Sequence, residues 1–145
     1  MEIRDSIVIN APVEQVWEVF SDIGSYPEWN PFITSFQGRL GQSEKVLVKM
    51  DMGPFVMPIT PVLTVVQPPN ELSWVVEQGS SFLYNVERHF RLDPLGGSQT
   101  HFVQSETAAG FLSPVISAFL FVPVVKGYRA FNQALKARVE ERLRD

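Results

Sequence analysis

The sequence predicts an α+β protein in which an antiparallel sheet curls around a long C-terminal helix. Three observations predict it. From Ile33 to Thr107 the chain alternates between apolar and polar residues and is broken by short turns rich in Gly, Pro and Asn, the pattern of strands joined by hairpins. An amphipathic helical repeat follows the first strand, and a second helical stripe closes the chain. Strands gathered in the middle with helices at the two ends make a segregated layer arrangement. A sheet of about seven strands twists and curls. A long helix can then lie across its concave side, and a cavity remains wherever helix and sheet do not touch.

Ile3, Ile7 and Ile9 share one face of a first strand, with Arg4 and Ser6 opposite. Pro12 suits the first turn of a helix, where a missing N–H costs nothing. Val13, Val16, Trp17 and Phe20 then give that helix one apolar face. Ser25 and Glu28 have capping-box spacing and start a second short helix, which Pro31 ends. Ile33 to Gly38 is a short strand, and 38–41 a turn. Glu44 to Met52 alternates, with Val46, Val48 and Met50 on one face. Gly53-Pro54 breaks it. Phe55 to Val66 reads as one strand, at an edge or bulged near Pro58 and Pro61. Pro68-Pro69-Asn70 turns into Leu72 to Glu77, and Gly79 to Ser81 turns again. Leu83 to Leu92 and Thr100 to Thr107 form a long hairpin around Gly96-Gly97. Tyr128, Phe131, Leu135 and Val139 mark the last helix, whose end carries Arg138, Arg142 and Arg144, favourable against the helix dipole.

A chain of 145 residues is expected to form one domain, 1–145, with a full core. A net charge of −4 argues against nucleic acid as the main partner, because phosphate contacts need a basic field. The absence of cysteine removes disulfide and thiolate chemistry and fits a reducing cytosol. No charged leader precedes an apolar run at the N-terminus, so a cytoplasmic location is expected. The 19 residues between Glu106 and Lys126 carry no charge, near the length of a membrane span. The strand-like start of that stretch, and Pro114 and Pro123 as interruptions, read against a true span.

Against this background the stretches INAPVEQVW (9–17) and YPEWNPF (26–32) resemble the opening of the polyketide cyclase/dehydrase and lipid-transport family, within the START and birch-pollen-allergen-like (SRPBCC) superfamily. LSWVV (72–76), HFRLDPLGGSQTHFVQSE (89–106) and the closing helix follow in the matching order. The resemblance covers essentially the whole chain. It implies a helix-grip fold, a seven-stranded antiparallel sheet around the C-terminal helix with two short helices after strand 1, enclosing an apolar cavity. It implies a small hydrophobic, lipid- or polyketide-like ligand and no cofactor. It supplies no universal catalytic motif.

Strand parity nominates the residues facing such a cavity. Phe90 and Phe102, the bulkiest apolar residues of their strands, are assigned inward, which brings in Val86, Arg88 and Leu92 on one strand and Gln104 and Glu106 on the other. His89 and His101 then face outward, as neighbours across the hairpin. They lack a third metal ligand at clear spacing, so no metal site is expected. Arg88, Gln104 and Glu106 are polar groups on an apolar face. They are either a structural Arg88–Glu106 pair or the anchor for the polar end of an apolar ligand. Glu106 and Arg88 are the only candidates for catalysis. Trp29 and Phe32 flank Pro31 and are either a core plug or a cavity gate. Val46, Val48, Met50, Val86, Phe90, Phe102, Phe111, Val115 and Phe119 are the expected walls.

Residues Phe111 to Val125 leave no polar face. The excess is buried, forms a homodimer seam or meets a membrane surface. Three functions stay open at this level: a carrier of a small hydrophobic molecule, a cyclase or dehydratase in which Glu106 or Arg88 moves or stabilises charge, and a module that docks through 111–125. No GxSxG, HExxH, GxGxxG or P-loop is present.

Overall fold

A computed structural model of the chain describes residues 2–77 and 82–144; the turn predicted at Gly79–Ser81 lies outside them. In chain order the elements are β1 (Glu2–Ile9), α1 (Val13–Ser21), a 3-10 turn (Ile23–Ser25), α2 (Tyr26–Trp29), β2 (Ile33–Gln37), β3 (Leu47–Asp51), β4 (Val56–Ile59), β5 (Val62–Gln67), β6 (Glu71–Glu77), β7 (Asn85–Pro94), β8 (Thr100–Ala109) and α3 (Ser113–Arg144). All pairings are antiparallel: one sheet has the order β1-β8-β7-β6-β5 and the other β2-β3-β4.

The expectation of one seven-stranded sheet is therefore corrected to eight strands in two sheets among the described residues. The difference arises within Phe55 to Val66. Thr60-Pro61 divides that run into β4 and β5, because Pro61 has no N–H to continue a ladder. Pro58 is tolerated inside β4 because that strand forms the edge of the smaller sheet. The sheets meet where the segment before β3 pairs with the start of β5. There the Ser43 N–H donates to the Leu63 carbonyl (2.8 Å), the Leu63 N–H to the Glu44 carbonyl (2.9 Å) and the Val46 N–H to the Pro61 carbonyl (3.0 Å).

The α3 helix runs for 32 residues. The two prolines read as interruptions lie inside it. Pro114 occupies the first turn, where no N–H is required, and Pro123 forgoes one internal hydrogen bond. By length and composition α3 could cross a membrane, yet its C-terminal half is the packing helix of the core. Tyr128, Phe131, Leu135 and Val139 are all buried. The predicted capping box at Ser25 is absent. The Ser25 hydroxyl instead donates to the Asp22 carbonyl (2.7 Å) and accepts from Trp29 Nε1 (3.1 Å).

Phe131 is the hub of the solid part of the core. Its ring stacks on Phe102 (centroids 6.0 Å apart, planes within 6°) and also meets Phe20, Tyr26, Trp29 and Phe90. This aromatic cluster fills the space between the sheet and the second half of α3. The first half of α3 has no such filling beneath it.

Candidate ligand-binding site

Under the first half of α3 lies a partly open cavity of about 420 Å³. Its helix side is Ile116, Ser117, Leu120 and Val124. The sheets contribute Ile3 of β1, Met50 of β3, Met57, Pro58 and Ile59 of β4, Trp74 and Val76 of β6, Val86 and Arg88 of β7 and Glu106 of β8, and Tyr84 lies just before β7. On its helix side the hollow is lined by aliphatic residues and a serine, where the aromatic cluster around Phe131 does not reach.

Parity placed the β7–β8 residues correctly. Val86, Arg88, Phe90 and Leu92 are buried on one face of β7, and Phe102 and Gln104 on the same face of β8. Arg88 and Glu106 are direct cross-strand partners. They do not form the contact ion pair that was one of the two readings. Arg88 Nη2 donates to Gln104 Oε1 at 2.6 Å, and Nη1 faces the Met50 sulfur at 3.8 Å. The guanidinium carbon sits 4.3 Å from the Tyr128 ring centroid, 4.8 Å from Phe90, 5.4 Å from Trp74 and 5.5 Å from Phe32. An aromatic box of this kind stabilises a desolvated cation through the ring faces.

The charge is balanced through a relay. Gln104 Nε2 donates to Asn132 Oδ1 (2.7 Å), and Asn132 Nδ2 donates to Asp5 Oδ2 (2.8 Å). Two members of that relay were not foreseen. Asp5 shares the inward parity of Ile3 and Ile7, and Asn132 sits beside Phe131 on the buried stripe of α3. A polar residue on an apolar face was the available signal in both cases.

Three buried polar atoms at this end of the molecule have no protein partner: Arg88 Nε, Ser117 Oγ and Tyr128 Oη. Arg88 and Ser117 line the cavity. Buried polar groups are nearly always satisfied, and Arg88 Nε and Ser117 Oγ keep hydrogen-bonding capacity for a group that enters the cavity. Glu106 is enclosed by protein but keeps accessible surface, because it looks into the cavity. Burial raises its pKa, and the pull of Arg88 and of the Tyr128 hydroxyl opposes that rise only in part. Tyr84 and Tyr128 are likewise raised, chiefly by burial. The Tyr128 phenol is directed at the Glu106 carboxyl as a hydrogen-bond donor, at more than ordinary hydrogen-bond length.

Of the expected walls, Met50 and Val86 line the cavity together with Arg88 and Glu106. Val46, Val48, Phe90 and Phe102 are buried in solid core instead. Gln104 stands one hydrogen bond behind Arg88. Trp29 and Phe32 are packing residues. Trp29 lies against Tyr26 and Phe131. Phe32 is 1% exposed and fills the notch left by Gly127, where a Cβ would stand 2.2 Å from its ring. Phe111, Val115 and Phe119 are corrected: Phe111, just before α3, and Val115 and Phe119 in its first turns are 74%, 60% and 79% exposed and do not line the cavity. The true lining positions, Ile116, Leu120 and Val124, follow from stepping back by fours from Tyr128, a signal the sequence did carry. His89 and His101 are not neighbours. They pair with Ser105 and Asp93 respectively, and among the described residues no cluster suited to a metal ion occurs.

A curved antiparallel wall, a C-terminal helix across it and an apolar cavity holding a few polar groups define the helix-grip class of ligand-binding folds. Residues 1–140 match the family described as polyketide cyclase / dehydrase and lipid transport, and the chain belongs to that family. Solved structures agree on the fold. The Zhui aromatase/cyclase from Streptomyces sp. R1128 is 19% identical with a TM-score of 0.79, over 99% of this chain and 95% of that one. A START superfamily protein from Mycobacterium smegmatis is 17% identical with a TM-score of 0.73, over 97% of each chain. Norcoclaurine synthase from Thalictrum flavum is 16% identical with a TM-score of 0.73, over 98% of this chain and 95% of that one. No curated protein matches the sequence closely enough to count as a relative.

Proposed function

We propose that the protein binds a small apolar or amphipathic molecule in the cavity under α3. The observation that carries this reading is an apolar hollow of about 420 Å³ into which a buried, partly unsatisfied arginine and serine point. That volume lies within the roughly 300–1,000 Å³ of small-molecule sites, which pair apolar walls with a few placed polar groups. Ile59, Trp74, Val76, Val86 and Leu120 would hold the apolar body. Arg88 Nε, a donor only, calls for an acceptor oxygen such as a carbonyl, and Ser117 can supply a second bond.

The test is titration with cis-parinaric acid, a fluorescent polyene fatty acid, on the wild type and on Val86→Phe. A ring at position 86 projects into the hollow. Saturable binding in the wild type, lost in a folded Val86→Phe, supports the reading. Equal binding in both would contradict it.

One observation favours a second reading, catalysis of cyclisation or dehydration. Glu106 has a raised pKa, faces the cavity and stands opposite Arg88 across the hairpin, the type of perturbation expected of an acid–base group. In that case Glu106→Gln would abolish turnover of a polyketide-like substrate while leaving its binding intact. In a carrier it would change neither retention nor release appreciably.

A further inference from the structure

We propose that the outward face of the first turns of α3, together with Phe82 before β7, docks the protein on an anionic lipid surface. Phe82, Phe111, Val115, Phe119 and Val122 are 73%, 74%, 60%, 79% and 56% exposed. So many large apolar side chains in one region exceed what single scattered residues explain.

The region is held in its outward pose. The Phe111 N–H donates to the Phe82 carbonyl and the Leu112 N–H to the Leu83 carbonyl, both at 2.8 Å. The rings of Phe82 and Phe111 stack with centroids 6.4 Å apart and planes within 7°. Gly110, at φ +109°, permits this approach, since a Cβ there would lie 2.6 Å from the Leu83 carbonyl oxygen. The apolar side chains are therefore fixed toward the outside, while Ile116 and Leu120 of the same turns face the cavity.

Charge selects the occupant. Between Glu106 and Glu140 the chain has no acidic residue but contains Lys126, Arg129, Lys136 and Arg138, a segment of +4 in a protein of −4. Val115, Phe119, Val122, Lys126 and Arg129 follow at helical spacing, so the apolar face leads directly into two exposed cations. Lys136 and Arg138 are paired with Glu140 and Glu28, whereas Lys126 and Arg129 form no ion pair among the described residues. An apolar face bordered by basic residues is the pattern of a helix lying in a membrane interface beside anionic headgroups. A second copy meeting the same face would bring an acid-free, basic border against its own equivalent, which is unfavourable.

The experiment is co-sedimentation of the full chain with vesicles of phosphatidylcholine alone and of phosphatidylcholine containing phosphatidylglycerol. The wild type is expected on the anionic vesicles and far less on the neutral ones. Phe119→Glu should abolish that binding, and Lys126→Gln with Arg129→Gln should weaken it roughly tenfold to thirtyfold. Each variant is checked for retained parinaric-acid binding, which separates this inference from the reading of the cavity and confirms folding. The proposal is overturned if the wild type ignores both vesicles, if Phe119→Glu sediments like the wild type, or if sedimentation velocity shows a dimer that Phe119→Glu dissolves while vesicle binding is absent.

Discussion

Gly127→Ala probes the packing that positions the polar end of the cavity. The site is mid-helix, so alanine by itself would gain about 1 kcal/mol of helix propensity. Here the added Cβ would stand 2.2, 2.3 and 2.6 Å from three carbons of the Phe32 ring, about 1 Å or more inside an ordinary contact of about 3.5–4.0 Å. Phe32 has little room to yield. It is 1% exposed, packs edge-on against Tyr128 (6.2 Å) and faces the Arg88 guanidinium (5.5 Å). Overpacking costs about 1–3 kcal/mol, sometimes more; three contacts this short place it at the upper end, about 2–3 kcal/mol, which exceeds the propensity gain. The expected net loss is about 1–2 kcal/mol, a fall in Tm of roughly 2–8 °C for a chain of this size. Differential scanning calorimetry measures it. Gly127→Ala combined with Phe32→Leu should recover part of the loss, because the smaller side chain vacates the notch. A Gly127→Ala protein as stable as the wild type would refute the claim that Phe32 is locked between α3 and Arg88.

Further expectations concern the polar groups and the hollow itself. Glu106 titrates above its ordinary value of 4.5 when folded, chiefly through burial, so the folded protein keeps a proton that the unfolded chain has lost. Stability contributed by this group therefore falls as pH rises from 4.5 through the folded value. Glu106→Gln should be more stable than the wild type in urea melts at neutral pH, with the gap closing below 4.5; a gap that widens in acid would be the wrong sign. Gln104→Leu strands the Nη2 donor of Arg88 and the Asn132 carbonyl, and should cost about 3 kcal/mol or more in denaturant unfolding; a loss under about 1 kcal/mol, the level of an ordinary exposed contact, would show that the relay is not structural. Val86→Phe fills existing space, so it should leave Tm within a few degrees of the wild type while eliminating ligand binding; a large loss of stability would mean that the hollow is smaller than described.

Much of the architecture was legible from local chemistry. The β7–β8 hairpin was read with the correct inward residues because its alternation runs without a bulge, and Arg88 against Glu106 is the register that parity requires. The break between β4 and β5 was harder to see, since Thr60-Pro61 interrupts a run whose side chains are apolar on both sides. The site was less legible than the fold. An apolar residue on an inward face can end in solid core or in a hollow, and alternation does not distinguish the two. Phe90 and Phe102 went to the aromatic cluster around Phe131, whereas Val86, four residues before Phe90 on the same face, reached the cavity. The start of α3 misled for a different reason. Apolar residues there face both ways, so burial could not be assumed for Phe111, Val115 and Phe119. Asp5 and Asn132 escaped because each is a single polar residue inside an otherwise apolar repeat, and their direct bond to each other, with Gln104 joined to Asn132, exists only once β1, β8 and α3 are brought together.

Diffraction from crystals pressurised with xenon tests the central claim most directly, because xenon enters apolar cavities that side chains leave unfilled. Electron density for xenon between Ile59, Trp74 and Leu120, present in the wild type and absent in Val86→Phe, is the predicted result. A xenon-free interior in the wild type, with the protein's own side chains occupying that region, would contradict the account.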